Sequence, residues 1–125
     1  MDTIKTLVIE PLRRPELRDI DPSITAIGKT IGGYAEPLPL DRRTTLWCDE
    51  EGAIKNLKPN RTIRLSQDSR FADAGKPIII RGTFVITGPH PQDGPLGLDD
   101  EQIGRYAAMF ADPKRPAGSP TAKRS

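Results

Sequence analysis

The 125 residues are 35% hydrophobic and 5% aromatic with 13 prolines and 11 glycines, which suits one modest core interrupted by many turns and excludes a helical bundle. A single cysteine rules out an internal disulfide or a thiolate zinc site, and no apolar run approaches the roughly 20 residues that cross a bilayer. The formal charge of +2 is uneven: Lys114, Arg115, Lys123 and Arg124 against Asp112 give 112–125 a charge of +3, so 1–111 carries −1 and the overall basicity does not mark the folded part as a nucleic-acid binder.

Thr3 to Glu10, with Ile4, Leu7, Val8 and Ile9 before Pro11, predicts a central first strand. Leu12 to Ile20 mixes charges and scattered apolar residues between prolines and reads as a connector, in which Leu17 to Ile20 could extend briefly as a strand or cover an edge. Asp21-Pro22-Ser23 starts a helix over 24–31, with Asp21 as the cap and Ile24, Ile27 and Ile31 on one buried stripe. Gly28 in that helix predicts close packing on a strand. Gly32-Gly33 ends the helix, and at least one of the pair is expected at positive φ.

Tyr34, Glu36, Leu38 and Leu40 then share one face of an extended segment that Pro37 and Pro39 confine to a sheet edge. Thr44 to Cys48 forms its hairpin partner, closed by a turn Asp49-Glu50-Glu51-Gly52 whose carboxylates stay solvated. Ile54 and Leu57 dock back on the core before a turn at Pro59-Asn60, followed by a short strand over 62–65. Ser66 to Lys76 reads as an exposed loop pinned by Phe71. Ile78 to Thr87 is the most apolar strand, with a bulge at Gly82, and 88–97 is a proline-rich loop. Asp99, with Gln102 three residues on, caps a last helix with Ile103, Tyr106, Ala107 and Phe110 on one face. Pro113 ends it, and the residues beyond that proline have the composition of disorder. The whole predicts an α+β class: a small, mixed, mainly antiparallel sheet of four to five strands with two helices, as a single domain over 1–111 and a disordered basic tail over 112–125.

The segments LVIEP (7–11), RPELRDID (14–21), IGGYAEPLPL (31–40), CDEEGAIKNLKPN (48–60), RGTFVITG (81–88) and LDDEQIGRY (98–106) resemble a small family known as domain of unknown function 3846, found in phages, plasmids and Gram-positive bacteria. The chain departs from it at Pro37 and in the long stretch from Arg64 to Lys76. The resemblance implies an origin in a mobile element and supplies no catalytic residues.

Chemistry is sparse. Cys48 shares the strand register of Leu46 and reads as a small buried hydrophobe, while His90 lies between two prolines in a loop, so the one conceivable nucleophile and base are not expected to meet. Asp49, Glu50, Glu51 and Asp41 lack histidine co-ligands and predict no metal site. Gly32-Gly33 lacks a phosphate-loop pattern. Lys55, Lys58, Arg61 and Arg64 recur every third residue, and an extended path would align them as a basic ridge, or leave them as a solvated face. The expected function is a non-catalytic interaction module without cofactor or metal, acting in the cytoplasm on a host protein and not on a membrane. A nucleic-acid accessory role using the ridge and tail is the alternative. The candidate binding residues are Gly32, Gly33, Tyr34, Trp47, Lys55, Lys58, Asn60, Arg61 and Arg64, and the oligomeric state stays open.

Overall fold

The computed structural model describes residues 2–65, 75–92 and 94–113. Of the loop expected over Ser66 to Lys76, residues 66–74 with Phe71 lie outside them, as does the tail from 114. Among the described residues, seven strands and two helices follow in the order β1 (Ile4–Ile9), β2 (Glu16–Ile20), α1 (Ile24–Ile31), β3 (Ala35–Asp41), β4 (Thr44–Asp49), β5 (Pro59–Arg64), β6 (Pro77–Arg81), β7 (Phe84–Thr87) and α2 (Asp100–Met109). Five strands form one antiparallel sheet in the order β2-β1-β7-β4-β3, and β5 pairs with β6 in a second sheet. The α+β class and the mainly antiparallel sheet are as expected.

The middle strand, β7, is FVIT with every side chain buried, because it has a strand on either side and a packed layer on each face. Alternation along the strands sorts the core in two. Leu7, Ile9, Leu46, Phe84 and Ile86 face the second sheet and α2, whereas Val8, Trp47 and Val85 face Ile27 and Ile31 of α1. The molecule is therefore three layers deep, with the main sheet between α1 on one side and α2 with β5–β6 on the other.

Several local expectations are revised. Residues 16–20 are a true edge strand paired to β1 rather than a connector. The apolar run 77–87 is two strands in different sheets, because Gly82 at φ 77 bends the chain out of one and into the other. Residues 59–64, expected to begin with a turn, are extended throughout as β5. Ile54 does not dock on the core; it is 85% exposed. Ser23, not Asp21, caps α1 by accepting from the Ala26 amide at 3.1 Å, and Ile24 lies half exposed outside the buried stripe.

The β3 edge carries out the role read for its prolines. The Glu50 amide donates to the Tyr34 carbonyl, so Glu36 and Leu38 turn their backbone groups to β4 while Ala35, Pro37 and Pro39 turn theirs outward. Two of those three outward positions have no N–H, which leaves an edge that a further strand cannot pair with fully.

α2 begins with the expected capping box: Asp99 accepts from the Gln102 amide at 2.8 Å and the Gln102 side chain accepts from the Asp99 amide at 2.9 Å. Tyr106 and Phe110 bury its inner face, and the Tyr106 hydroxyl donates to Asp41 in the β3–β4 hairpin. That bond and burial push the phenol up to about 12, burial being the larger cause.

Candidate functional site

α1 ends in a reversal that shapes a concavity. Gly32 takes φ 90 and its amide donates to the Gly28 carbonyl at 2.7 Å, while the Gly33 amide reaches the same oxygen at 3.1 Å. This is a Schellman-type end, and the residue it requires to be glycine for backbone reasons is Gly32. The positive φ expected of the pair falls on Gly32, and Gly33 is not left-handed. It is small because a Cβ there would fall 2.4 Å from Asp49 Oδ2 and 2.8 Å from Lys55 Nζ. Gly28 likewise packs against the turn's own Gly33 carbonyl, at 2.8 Å from a built Cβ, and not against a strand.

The pair beneath Gly33 overturns the reading of a fully solvated acidic turn. Asp49 follows Trp47 on the α1 side of β4, and its side chain is 1% exposed. The 51–56 turn, closed by the Lys55 amide on the Glu51 carbonyl and by Asn56 at φ 57, brings the Lys55 ammonium back to Asp49 Oδ2 at 2.8 Å. Burial works to raise the Asp49 carboxyl. The bonds from Lys55 and the Glu51 amide, with the lysine's charge, outweigh it and hold the acid below its usual value. Lys55 is raised in turn, chiefly by its bond to Asp49.

Above the pair lies a cleft of about 480 Å³. It is lined by Gly28, Gly32 and Gly33, by the apolar Ile24, Tyr34 and Ala35, and by the polar Thr25, Lys29, Glu51 and Lys55. Tyr34 is 77% exposed. A largely apolar concavity with a few polar groups is the form binding sites take. An ammonium has three donors and Asp49 engages one, so the cleft retains capacity for a ligand's acceptor.

Four of the nine candidate residues, Gly32, Gly33, Tyr34 and Lys55, thus meet in one place. The other five do not join them. Trp47 is fully buried, donating from Nε1 to Thr87 Oγ1 at 2.9 Å, with the His90 ring edge-on at 4.8 Å. Asn60 is buried and donates to the carbonyls of Ile9 and Gly82 at 2.9 and 2.8 Å, tying β5 to β1 and to the bend between β6 and β7. Arg61 is buried too: Nη1 donates to Asn60 Oδ1 at 2.7 Å, and Nη2 donates to the carbonyls of Arg13 and Phe110 at 2.8 and 2.9 Å. Burial lowers its pKa against the opposing charge of Asp112. Arg64 is exposed and donates to the Gly75 carbonyl; Lys58 is exposed. No four-cation ridge forms, because β5 alternates with a period of two and a bulge between Pro59 and Arg61 turns the guanidinium inward.

The remaining chemistry is dispersed. Cys48 is one residue from Trp47 and so faces the opposite side of the sheet from the ring that His90 touches. Burial, with the charges of Glu36 and Asp49, pushes the Cys48 thiol up to about 12. Asp41 and Asp49 stand at opposite ends of the β3–β4 hairpin, and among the described residues no group of three or more His, Cys, Asp or Glu is placed to hold a metal ion. No helix among them is long and apolar enough to cross a membrane. The Asp49–Lys55 pair is the feature of the candidate site that the sequence hides; its signal is an acid and a lysine six residues apart across a glycine turn, beside a glycine that no turn requires.

These features define a small α+β domain on an antiparallel sheet, with a glycine-lined cleft at the end of its first helix. The chain belongs to the DUF3846 family: residues 4–111 match the family described as "Domain of unknown function (DUF3846)". Among curated proteins and among solved structures, none matches the chain.

Proposed function

We propose that the domain is a non-catalytic interaction module, encoded by a phage or other mobile element, that engages a host protein in the cytoplasm through the cleft between α1, the glycine turn and β3. The observation that carries this reading is Tyr34, a large aromatic left 77% exposed in the lining of an apolar concavity. Aromatic anchors of this kind supply contact area at little conformational cost. The raised Cys48 thiol and its separation from His90 support a role without nucleophilic chemistry.

Affinity capture from host lysate with the wild type, Tyr34→Ala and the surface control Lys58→Ala, read by mass spectrometry, tests the assignment. A host protein retained by Lys58→Ala and lost from Tyr34→Ala is the expected result. Capture indifferent to Tyr34 refutes the cleft as the binding face. Recovery of nucleic acid that salt releases steeply transfers the function to the alternative class.

A further inference from the structure

The two edges of the main sheet differ. Prolines remove two of the three outward donors of the β3 edge, whereas β2 contains no proline. The direction of the β2 backbone follows from two bonds. The Arg18 carbonyl faces β1, where it accepts from Thr6 Oγ1 at 2.7 Å. Lys5 of β1 turns its carbonyl the opposite way, to the Leu98 amide at 3.0 Å. Since Thr6 is opposite Arg18 and Lys5 opposite Asp19, the backbone groups of Arg18 point into the sheet and those of Leu17 and Asp19 point out of it. β2 is the end strand of its sheet, and its Leu17 is 52% exposed.

We infer that β2 is a self-complementary docking edge, pairing antiparallel with β2 of a second copy about a two-fold axis at Leu17. Strand addition must match outward groups with outward groups, which restricts the symmetric registers to those centred on residues 16 to 19. A centre at Glu16, Arg18 or Asp19 sets that charge against its own copy. Only the centre at Leu17 places Glu16 opposite the second copy's Arg18, and Arg18 opposite its Glu16, with leucine meeting leucine between them. Within one chain these two side chains already reach each other at 2.5 Å and remain 60% and 40% exposed, so association closes an alternating ring of four charges. The Leu17 amides and carbonyls bond reciprocally, and each Asp19 amide finds the carbonyl of the second copy's Pro15, an acceptor that proline retains. The occupant is committed by this charge pattern, which a foreign strand would match only by chance. Two five-stranded sheets become one of ten.

Sedimentation equilibrium or light scattering on the 125-residue chain across a concentration series, at low and moderate salt, tests the inference. The wild type should show a reversible monomer–dimer equilibrium. Glu16→Arg and Arg18→Glu, each setting like charges opposite one another twice per dimer, should each raise the dissociation constant on the order of tenfold or more. Mixing the two single variants should restore a heterodimer, because each supplies the charge the other lacks. The double variant Glu16→Arg/Arg18→Glu should dimerise again alone. Glu16 is exposed and Arg18 half-buried, and an unchanged circular dichroism spectrum and melting temperature show that the monomer still folds. A wild type that stays monomeric at high micromolar concentration overturns the proposal, as does a dimer that the single variants leave intact or that the mixture fails to restore.

Discussion

Substituting Gly33 by alanine should be far more damaging than the same change at Gly32, though only Gly32 is left-handed. At Gly32 the added methyl meets nothing within 4 Å, so the cost is the left-handed backbone penalty of about 1 kcal/mol. At Gly33 the Cβ would overlap Asp49 Oδ2 at 2.4 Å and crowd Lys55 Nζ at 2.8 Å. Asp49 cannot retreat, its side chain being 1% exposed, but Lys55 at 36% exposure can swing into solvent. The buried carboxylate is then left with the Glu51 amide alone. Breaking a fully buried pair costs about 3–5 kcal/mol, and the lysine's partial exposure reduces this to about 2–3 kcal/mol. At roughly 4 °C per kcal/mol for a domain of this size, the loss is about 10 °C in melting temperature. Urea denaturation of Gly32→Ala, Gly33→Ala, Asp49→Ala and Gly33→Ala/Asp49→Ala measures it. The double variant should be less destabilised than the singles sum to, by on the order of 1–2 kcal/mol, since removing the carboxylate removes the obstruction. Equal effects at the two glycines, or additivity in the double variant, would refute the account.

The same pair predicts a pH signature. Asp49 is lowered in the folded state, so its contribution is complete above the unfolded carboxyl value near 4 and disappears as pH falls through the lower folded value; the acid limb of a denaturation-midpoint profile should flatten in Asp49→Asn. Lys55 is raised, so its part persists below about 10.5 and fades only at higher pH. Cys48, with its thiol pushed up to about 12, should resist a disulfide reagent at pH 8 in the native protein and react stoichiometrically once urea unfolds it; rapid native labelling would contradict its burial. Arg61→Met should cost about 3 kcal/mol or more by orphaning the Arg13 and Phe110 carbonyls, and Arg61→Lys should rescue little because an ammonium lacks the planar fork. A melting temperature within 2 °C of wild type for either variant would show that these contacts are dispensable.

The helix boundaries were the legible part of the chain, although Ser23 caps α1 in place of Asp21. Helix α1 falls on Ile24–Ile31 as read, and the Asp99–Gln102 capping box opens α2, because those signals are local and chemical. Pro37 and Pro39 disclosed an edge for the same reason: a missing amide restricts where a strand can lie. The errors arise where distant residues decide. β2 has one fully buried side chain, Ile20, so its edge pairing left almost no alternation to detect. Gly33 was attributed to backbone conformation, yet its constraint comes from residues 16 and 22 positions later in the chain, at Asp49 and Lys55. The triplet spacing of Lys55, Lys58, Arg61 and Arg64 suggested one face, but pairing with β6 imposed strand alternation, and a bulge reversed Arg61. The cleft was half visible, since IGGY and Lys55 were singled out without any means of knowing that the 51–56 turn would fold the one back over the other.

The position of β7 has a consequence for how the protein comes into being. It lies between β1 and β4, and Leu7, Val8 and Ile9 wait for Ile86, Val85 and Phe84 as partners. During translation the first six strands can be complete while the sheet still lacks its centre. Until Thr87 has left the ribosome, β1 and β4 each offer an unpaired apolar margin, the state in which nascent strands mispair with other chains. Assembly of the main sheet is therefore a late event in synthesis, governed by contacts distant along the chain and correspondingly slow. A product released before residue 84 retains the β1–β2 and β3–β4 hairpins but nothing to unite them, and should be a substrate for chaperones and proteases rather than a shortened domain.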